Sequence, residues 1–166
     1  MSTTANLNIA SVQMVSTPDL EQNLNTASEL INKAASEGAQ LIVLPEYFCM
    51  MGLKDTDKVR IREPFSNGPI QDRLARIAQE NQIYLVAGTI PLEAKDTSKV
   101  LNTTLAFDPN GKQISRYDKI HLFGFQTSKE RYQESETIEA GNTPELLKIL
   151  VDGQEWVFGL SICYDI

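Results

Sequence analysis

The chain has a single histidine, two cysteines and no uninterrupted apolar stretch of membrane length. One histidine, with no Cys-x-x-Cys or His-x-x-x-His spacing, leaves no zinc-ligand pattern, and no metal or other cofactor is expected. Two thiols, Cys49 and Cys163, in 166 residues do not make a disulfide framework, so both are read as free. A bilayer-spanning helix needs about 18 or more consecutive apolar residues. None is present, and residues 1–6 lack the basic and apolar regions of a secretory leader. The expectation is a cytoplasmic protein with no membrane partner. Cations are also scarce: 15 Lys and Arg stand against 22 Asp and Glu, for a net charge of -7. With no basic cluster to displace counterions from a phosphate backbone, nucleic acid is not an expected partner. No fixed-period repeat, low-complexity tract or linker divides the chain, and 42% hydrophobic content suffices for one core, so residues 1–166 are read as a single unit.

What is present is an alternation of strand-like and helix-like stretches. Leu7 to Gln13 reads as a strand. Thr17-Pro18-Asp19 then predicts a helix with Thr17 as N-cap and Pro18 at its first position. Leu20, Leu24, Ala27, Ile31 and Ala34 recur at three- and four-residue spacing, and Gly38 ends the helix. Leu41 to Leu44 is fully apolar, as a strand buried on both faces would be, and it delivers Pro45-Glu46 at its C-terminal edge. Ligand sites of open α/β sheets lie at such edges. A second helix is predicted over Pro69 to Glu80 and a strand over Ile83 to Thr89. The pattern then changes to hairpins: Leu101–Phe107 with Lys112–Tyr117 around Asp108-Pro-Asn-Gly111, and Leu146–Val151 with Gln154–Leu160 around Asp152-Gly153. The fold class is α/β with a mixed sheet.

Cys163 follows the apolar run Trp156 to Ile162, a placement that brings a thiol to the tip of a strand, where a helix normally begins and favours thiolate. Lys119 lies beside Ile120, Leu122 and Phe123, a setting that buries an ammonium and makes it worth pairing with carboxylates. Cleaving an unactivated amide with a thiol needs a base, a stabiliser for the oxyanion and an acid for the departing ammonia. Glu46 suits the first and last tasks. Lys119 and the backbone N–H of Tyr164 suit the second.

Leu44-Pro45-Glu46, Tyr117 to Phe123 and Gly159 to Asp165, in that order, resemble the three signature segments of the nitrilase (carbon-nitrogen hydrolase) superfamily, across nearly the whole chain. The resemblance implies an α-β-β-α sandwich with mixed sheets. It implies Glu46 as general base, Lys119 as catalytic lysine, Cys163 as nucleophile, and Glu134 as a second glutamate that positions substrate and lysine. His121-Leu-Phe-Gly-Phe125 and Tyr132-Gln-Glu-Ser135 are most similar to the Nit branch, whose members act on omega-amides of dicarboxylates, including 2-oxoglutaramate and deaminated glutathione. The implied partners are a small-molecule amide and further copies of the chain, as a homodimer or larger homo-oligomer. Family members continue for roughly another hundred residues, so the chain is expected to be the N-terminal portion of one such domain, truncated after the nucleophile elbow and weakly active or inactive alone. The family's arginine just after Cys-Tyr-Asp, a cation for substrate carboxylates, has no position here because the sequence ends.

Each assignment has a plainer rival. Cys163 is a buried structural thiol on that reading, Lys119 a solvated surface residue, and Glu134 one acid in a charged loop from Lys129 to Glu139. Cys49 is read as packing, or as a partly exposed thiol near the pocket. His121 shares strand parity with Lys119 and offers a papain-like partner for Cys163. A different class altogether is an inactive truncated chain kept as a binding or dimerisation module.

Overall fold

The computed structural model describes residues 6–166. Its centre is one five-stranded mixed sheet, ordered β1 (Ile9–Ser11), β2 (Leu41–Val43), β3 (Tyr84–Glu93), β4 (Val100–Phe107) and β5 (Gln113–Asp118). The first three strands run parallel, and β3, β4 and β5 then pair antiparallel. The change of mode follows from the connections. Helix α1 (Leu20–Ser36) crosses from β1 to β2, and α3 (Pro69–Asn81) lies on the crossover from β2 to β3 after a short α2 (Asp57–Arg60), whereas β4 and β5 meet through a tight turn.

Side chains sort to the two faces with period two. Ile42, Leu44, Leu85, Ala87, Leu105 and Phe107 face the helices, where they pack with Leu24, Ala27 and Ile31 of α1 and Ile70, Leu74 and Ile77 of α3. Leu41, Val86 and Ala106 face the other way, onto Leu147, Ile149 and Val151 of β8 (Leu146–Val151), which pairs with β9 (Gln154–Gly159). Each fully buried aliphatic side chain contributes about 1.5–3 kcal/mol. The layers are therefore helices, mixed sheet and hairpin. The β8–β9 hairpin stands for the second sheet of the expected sandwich, and the described residues supply no second helical layer.

Strand β1 is shorter than the expected Leu7–Gln13, other ends shift by a residue, and three larger differences have local causes. The N-cap of α1 is Asp19, whose carboxylate accepts from Gln22 N at 3.0 Å. Thr17 is drawn off to other bonds, accepting from Asp19 N and reaching Asn23 Oδ1, so Pro18 precedes the cap. Strand β3 runs on past Thr89 to Glu93, with an irregularity in its pairing to β4 between Ala87 and Ile90. The polar stretch between Phe123 and Glu134, for which the sequence predicts no strand, folds as a hairpin of β6 (Gly124–Gln126) and β7 (Arg131–Gln133), over which Phe123, Phe125 and Tyr132 form an aromatic cluster.

An interior carboxylate fixes the approach to β3. Glu63 is 4% exposed and accepts from Ile70 N at 2.6 Å, Gln71 N at 3.1 Å and Gln71 Nε2 at 3.0 Å, capping α3 where Gly68 offers no side chain.

Candidate active site

Glu46 stands just beyond the end of β2, where the chain turns sharply. Tyr47 adopts a left-handed backbone, φ 55°, and donates its N–H to Thr89 Oγ1 at 2.8 Å. The turn rests on Gly88, because a Cβ there would overlap the carbonyl oxygens of Leu44 and Pro45. The β3 irregularity thus brings bare backbone against the end of β2 and sets the direction in which Glu46 leaves it.

Lys119 follows directly on β5 and is 0% exposed. Its Nζ lies 3.2 Å from Glu46 Oε1 and 3.0 and 3.1 Å from the two carboxylate oxygens of Glu134. Burial alone would lower the lysine's pKa, but the hydrogen bond and charge of Glu134 and those of Glu46 outweigh it, leaving the ammonium above its usual range. The cation occupies the space between the two carboxylates that a metal ion would need, so the residues present do not form a metal site. Among the described residues, no group of three or more His, Cys, Asp or Glu is placed to hold one.

Glu134 opens a 3-10 turn after β7 and is 5% exposed, so it belongs to the interior and not to the solvated loop. Its Oε2 accepts from Phe123 N at 2.7 Å. Glu46 is more open, and Asn102 on β4 donates Nδ2 to its Oε1 at 2.8 Å. Both bonds to Glu46 fall on Oε1, and Oε2 accepts none from the described residues. One oxygen is thereby left to take a proton. Sequence reasoning missed Asn102, although a lone Asn in the apolar strand Val-Leu-Asn-Thr-Thr-Leu-Ala-Phe is the kind of residue that marks a buried polar task.

Cys163 sits at φ 49° in a single 3-10 turn, Cys163–Asp165, where a helix start was expected. A left-handed cysteine is backbone strain held by its surroundings, here by Asp165. That carboxylate accepts from the Tyr117 hydroxyl at 2.7 Å, Ile162 N at 2.9 Å and His121 N at 2.8 Å, and lies 2.9 Å from His121 Nδ1. Burial would raise the Asp165 pKa, but these bonds hold it below the usual carboxylate value. Residues two before and two after Lys119 therefore clamp the turn that carries Cys163. The Tyr164 N–H makes no hydrogen bond among the described residues.

The rival readings fare unequally. Cys163 is exposed, so it is not a buried structural thiol, while Cys49 is 1% exposed and its thiol is pushed up to about 12 by burial. Cys49 is packing. The papain-like pairing is not formed: His121 gives Nδ1 to Asp165, its side chain is 64% exposed, and among the described residues no hydrogen bond joins Cys163 Sγ to either ring nitrogen. Lys119, two residues earlier, turns fully inward instead.

Tyr47 was not singled out from sequence. Its hydroxyl is buried without a hydrogen-bond partner, and burial, Glu134, Glu46, Tyr132 and Cys163 all raise its pKa. The phenol therefore stays neutral within the field of the site's carboxylates and thiol.

Comparison with known proteins bears on what this arrangement is. An omega-amidase from Xenopus tropicalis is 37% identical over 98% of this chain and 56% of its own length. A deaminated glutathione amidase from Synechocystis is 36% identical over 95% of this chain and 57% of its own. Among solved structures, Saccharomyces cerevisiae Nit3, a member of branch 10 of the nitrilase superfamily, superposes with a TM-score of 0.78 at 31% identity, covering 96% of this chain and 56% of that one. The chain spans about half the length of the curated relatives it matches. The family model for carbon-nitrogen hydrolases matches residues 8–166, and across that span, from β1 to the turn bearing Cys163, this chain belongs to the carbon-nitrogen hydrolase family.

Proposed function

We propose that the chain is the N-terminal portion of a single carbon-nitrogen hydrolase domain whose cytoplasmic parent enzyme cleaves the amide of a small omega-amide substrate. The observation that carries this reading is the buried Lys119 ammonium bridging Glu46 and Glu134, with the Cys163 turn clamped to the same segment through Asp165.

In this mechanism Glu46 Oε2 takes the Cys163 proton as Sγ attacks the amide carbon. The carbonyl π pair moves to oxygen, and the Lys119 ammonium and Tyr164 N–H hold that oxyanion. The oxyanion then collapses, the C–N bond breaks, and Glu46 returns the proton to the leaving nitrogen, releasing ammonia and leaving a thioester. Water, deprotonated by Glu46, attacks the thioester carbon. Collapse of this second oxyanion expels the thiolate, which recovers the proton, and the free carboxylic acid departs. Glu134 holds the Lys119 ammonium in place throughout the cycle.

The test is ammonia release from glutaramate by the full chain, with Cys163→Ala, Glu46→Gln and Lys119→Met compared with the parent sequence. The expected loss is roughly a hundredfold or more for each variant. Turnover that survives Cys163→Ala would overturn the thioester route. A second reading, a binding or dimerisation module, draws on the apolar outer face of the β8–β9 hairpin, where Leu146, Leu150 and Val157 are exposed. Sedimentation of the chain as a dimer without turnover would favour it.

A further inference from the structure

Tyr47, which follows Glu46 in the chain and feels the charges of Glu46 and Glu134, lines a small cavity of about 70 Å³ together with Lys54, Asp55, Lys58 and Tyr132. Water takes about 30 Å³ in the liquid, so the space suits a compact polar group and not the body of a substrate.

Lys58, in α2, is half-buried there, with Nζ 5.3 Å from the centre of the Tyr47 ring. It makes no hydrogen bond and no ion pair among the described residues, unlike Lys119, which is paired twice. The Tyr47 hydroxyl beside it is also unpartnered although buried. A desolvated cation and an orphaned donor lining one cavity are an incomplete hydrogen-bonding set, and both lack the same thing, an acceptor. The lining itself carries Lys54 and Lys58 against the single acid Asp55, while the charges of Glu46 and Glu134 reach Lys58 from outside it. A cation over the ring keeps its charge unpaired, because a cation–π contact is no substitute for a carboxylate.

We propose that Lys58 and the Tyr47 hydroxyl form the subsite for the free carboxylate of the omega-amide substrate, at the far end from the amide that Cys163 attacks. This rests on the amidase reading above. It gives the substrate's carboxylate a cation within this half of the domain. Burial holds the Lys58 ammonium below its usual pKa, and the carboxylates of Asp55, Glu134 and Glu46 only partly offset this. A bound carboxylate would raise that pKa again. Neutral amides of the same length gain nothing from the subsite, so the pair discriminates by charge.

The experiment compares kcat/KM for succinamate and for butyramide in the full chain, in Lys58→Met and in Tyr47→Phe. The expected result is that the ratio of the two values falls roughly tenfold or more in Lys58→Met, through KM, and by a smaller factor in Tyr47→Phe. An unchanged ratio in Lys58→Met overturns the subsite, whatever happens to overall activity. If the chain alone hydrolyses neither amide, as expected of a truncated domain, the subsite is decided by binding. Glutarate should then slow iodoacetamide labelling of Cys163 in the parent sequence, at a concentration roughly tenfold lower than in Lys58→Met. No protection, or equal protection in both, refutes it.

Discussion

Replacing Asp165 with asparagine removes one acceptor oxygen from a carboxylate that takes bonds from Tyr117, Ile162 and, twice, His121. Whichever way the amide turns, one backbone N–H, of His121 or of Ile162, meets an NH2 group instead of an oxygen. The other two partners can adapt, since the Tyr117 hydroxyl can rotate to accept and the His121 ring can change tautomer. The Ile162 bond is the more buried and the His121 bond is exposed, so the amide oxygen stays with Ile162 and Tyr117 while water takes over at His121. An unsatisfied N–H costs about 1–3 kcal/mol, and an exposed one falls at the low end; losing charge assistance on the retained bonds adds about 1 kcal/mol. The predicted destabilisation is therefore about 2 kcal/mol. Urea unfolding followed by tryptophan fluorescence measures it, and His121→Ala, which removes only an exposed ring contact, should fall within about 0.5 kcal/mol of the parent sequence. The turn that carries Cys163 loosens with it, so ammonia release should drop more than stability alone explains. An Asp165→Asn chain as stable as the parent, with the same rate, would refute the clamp.

Two further outcomes follow from the same charges. The folded Asp165 carboxyl lies below its ordinary 3.8, so its stabilisation is complete above about pH 4 and is lost as pH falls through the folded value. Lys119, held above 10.5, has the opposite sense: its stabilisation is present below about pH 10.5 and is lost as pH rises through the folded value. Acid and alkaline unfolding monitored in parallel should show both limbs, with Asp165→Asn flattening only the acid one. Lys119→Met should cost about 3–5 kcal/mol by stranding buried carboxylate charge. Adding Glu134→Gln should recover part of that stability without restoring ammonia release, and full additivity in the double mutant would show that the two residues do not interact.

The β8–β9 hairpin was legible residue by residue, because alternation along Leu146 to Val151 puts Leu147, Ile149 and Val151 inward and Asp152-Gly153 supplies the two left-handed positions of its turn. The β6–β7 hairpin was not, since three-residue strands show no alternation and the aromatic residues that hold it are scattered over Phe123, Phe125 and Tyr132. The start of α1 was misplaced because Thr17 and Asp19 are both competent caps, and only the distant Asn23 contact decides between them. At the site, the signature segments pointed to Glu46, Lys119, Glu134 and Cys163. Composition gave no sign that Glu134 is buried, as its charge is concealed by Lys119. Tyr47 and Lys58 became visible only in three dimensions, since their value lies in partners they lack, whereas Asn102 left a trace in its strand that was passed over.

The bond from Lys119 to Glu46 closes 73 residues of chain. Between its ends in the sheet stand β3 and β4, so the ammonium reaches that carboxylate only after both strands are in register. Helices and hairpins can form locally and early, whereas this contact waits for a long loop to close. A spectroscopic or chemical label that senses the pair would then report the moment at which the four strands from β2 to β5 are in register, and stay silent before it.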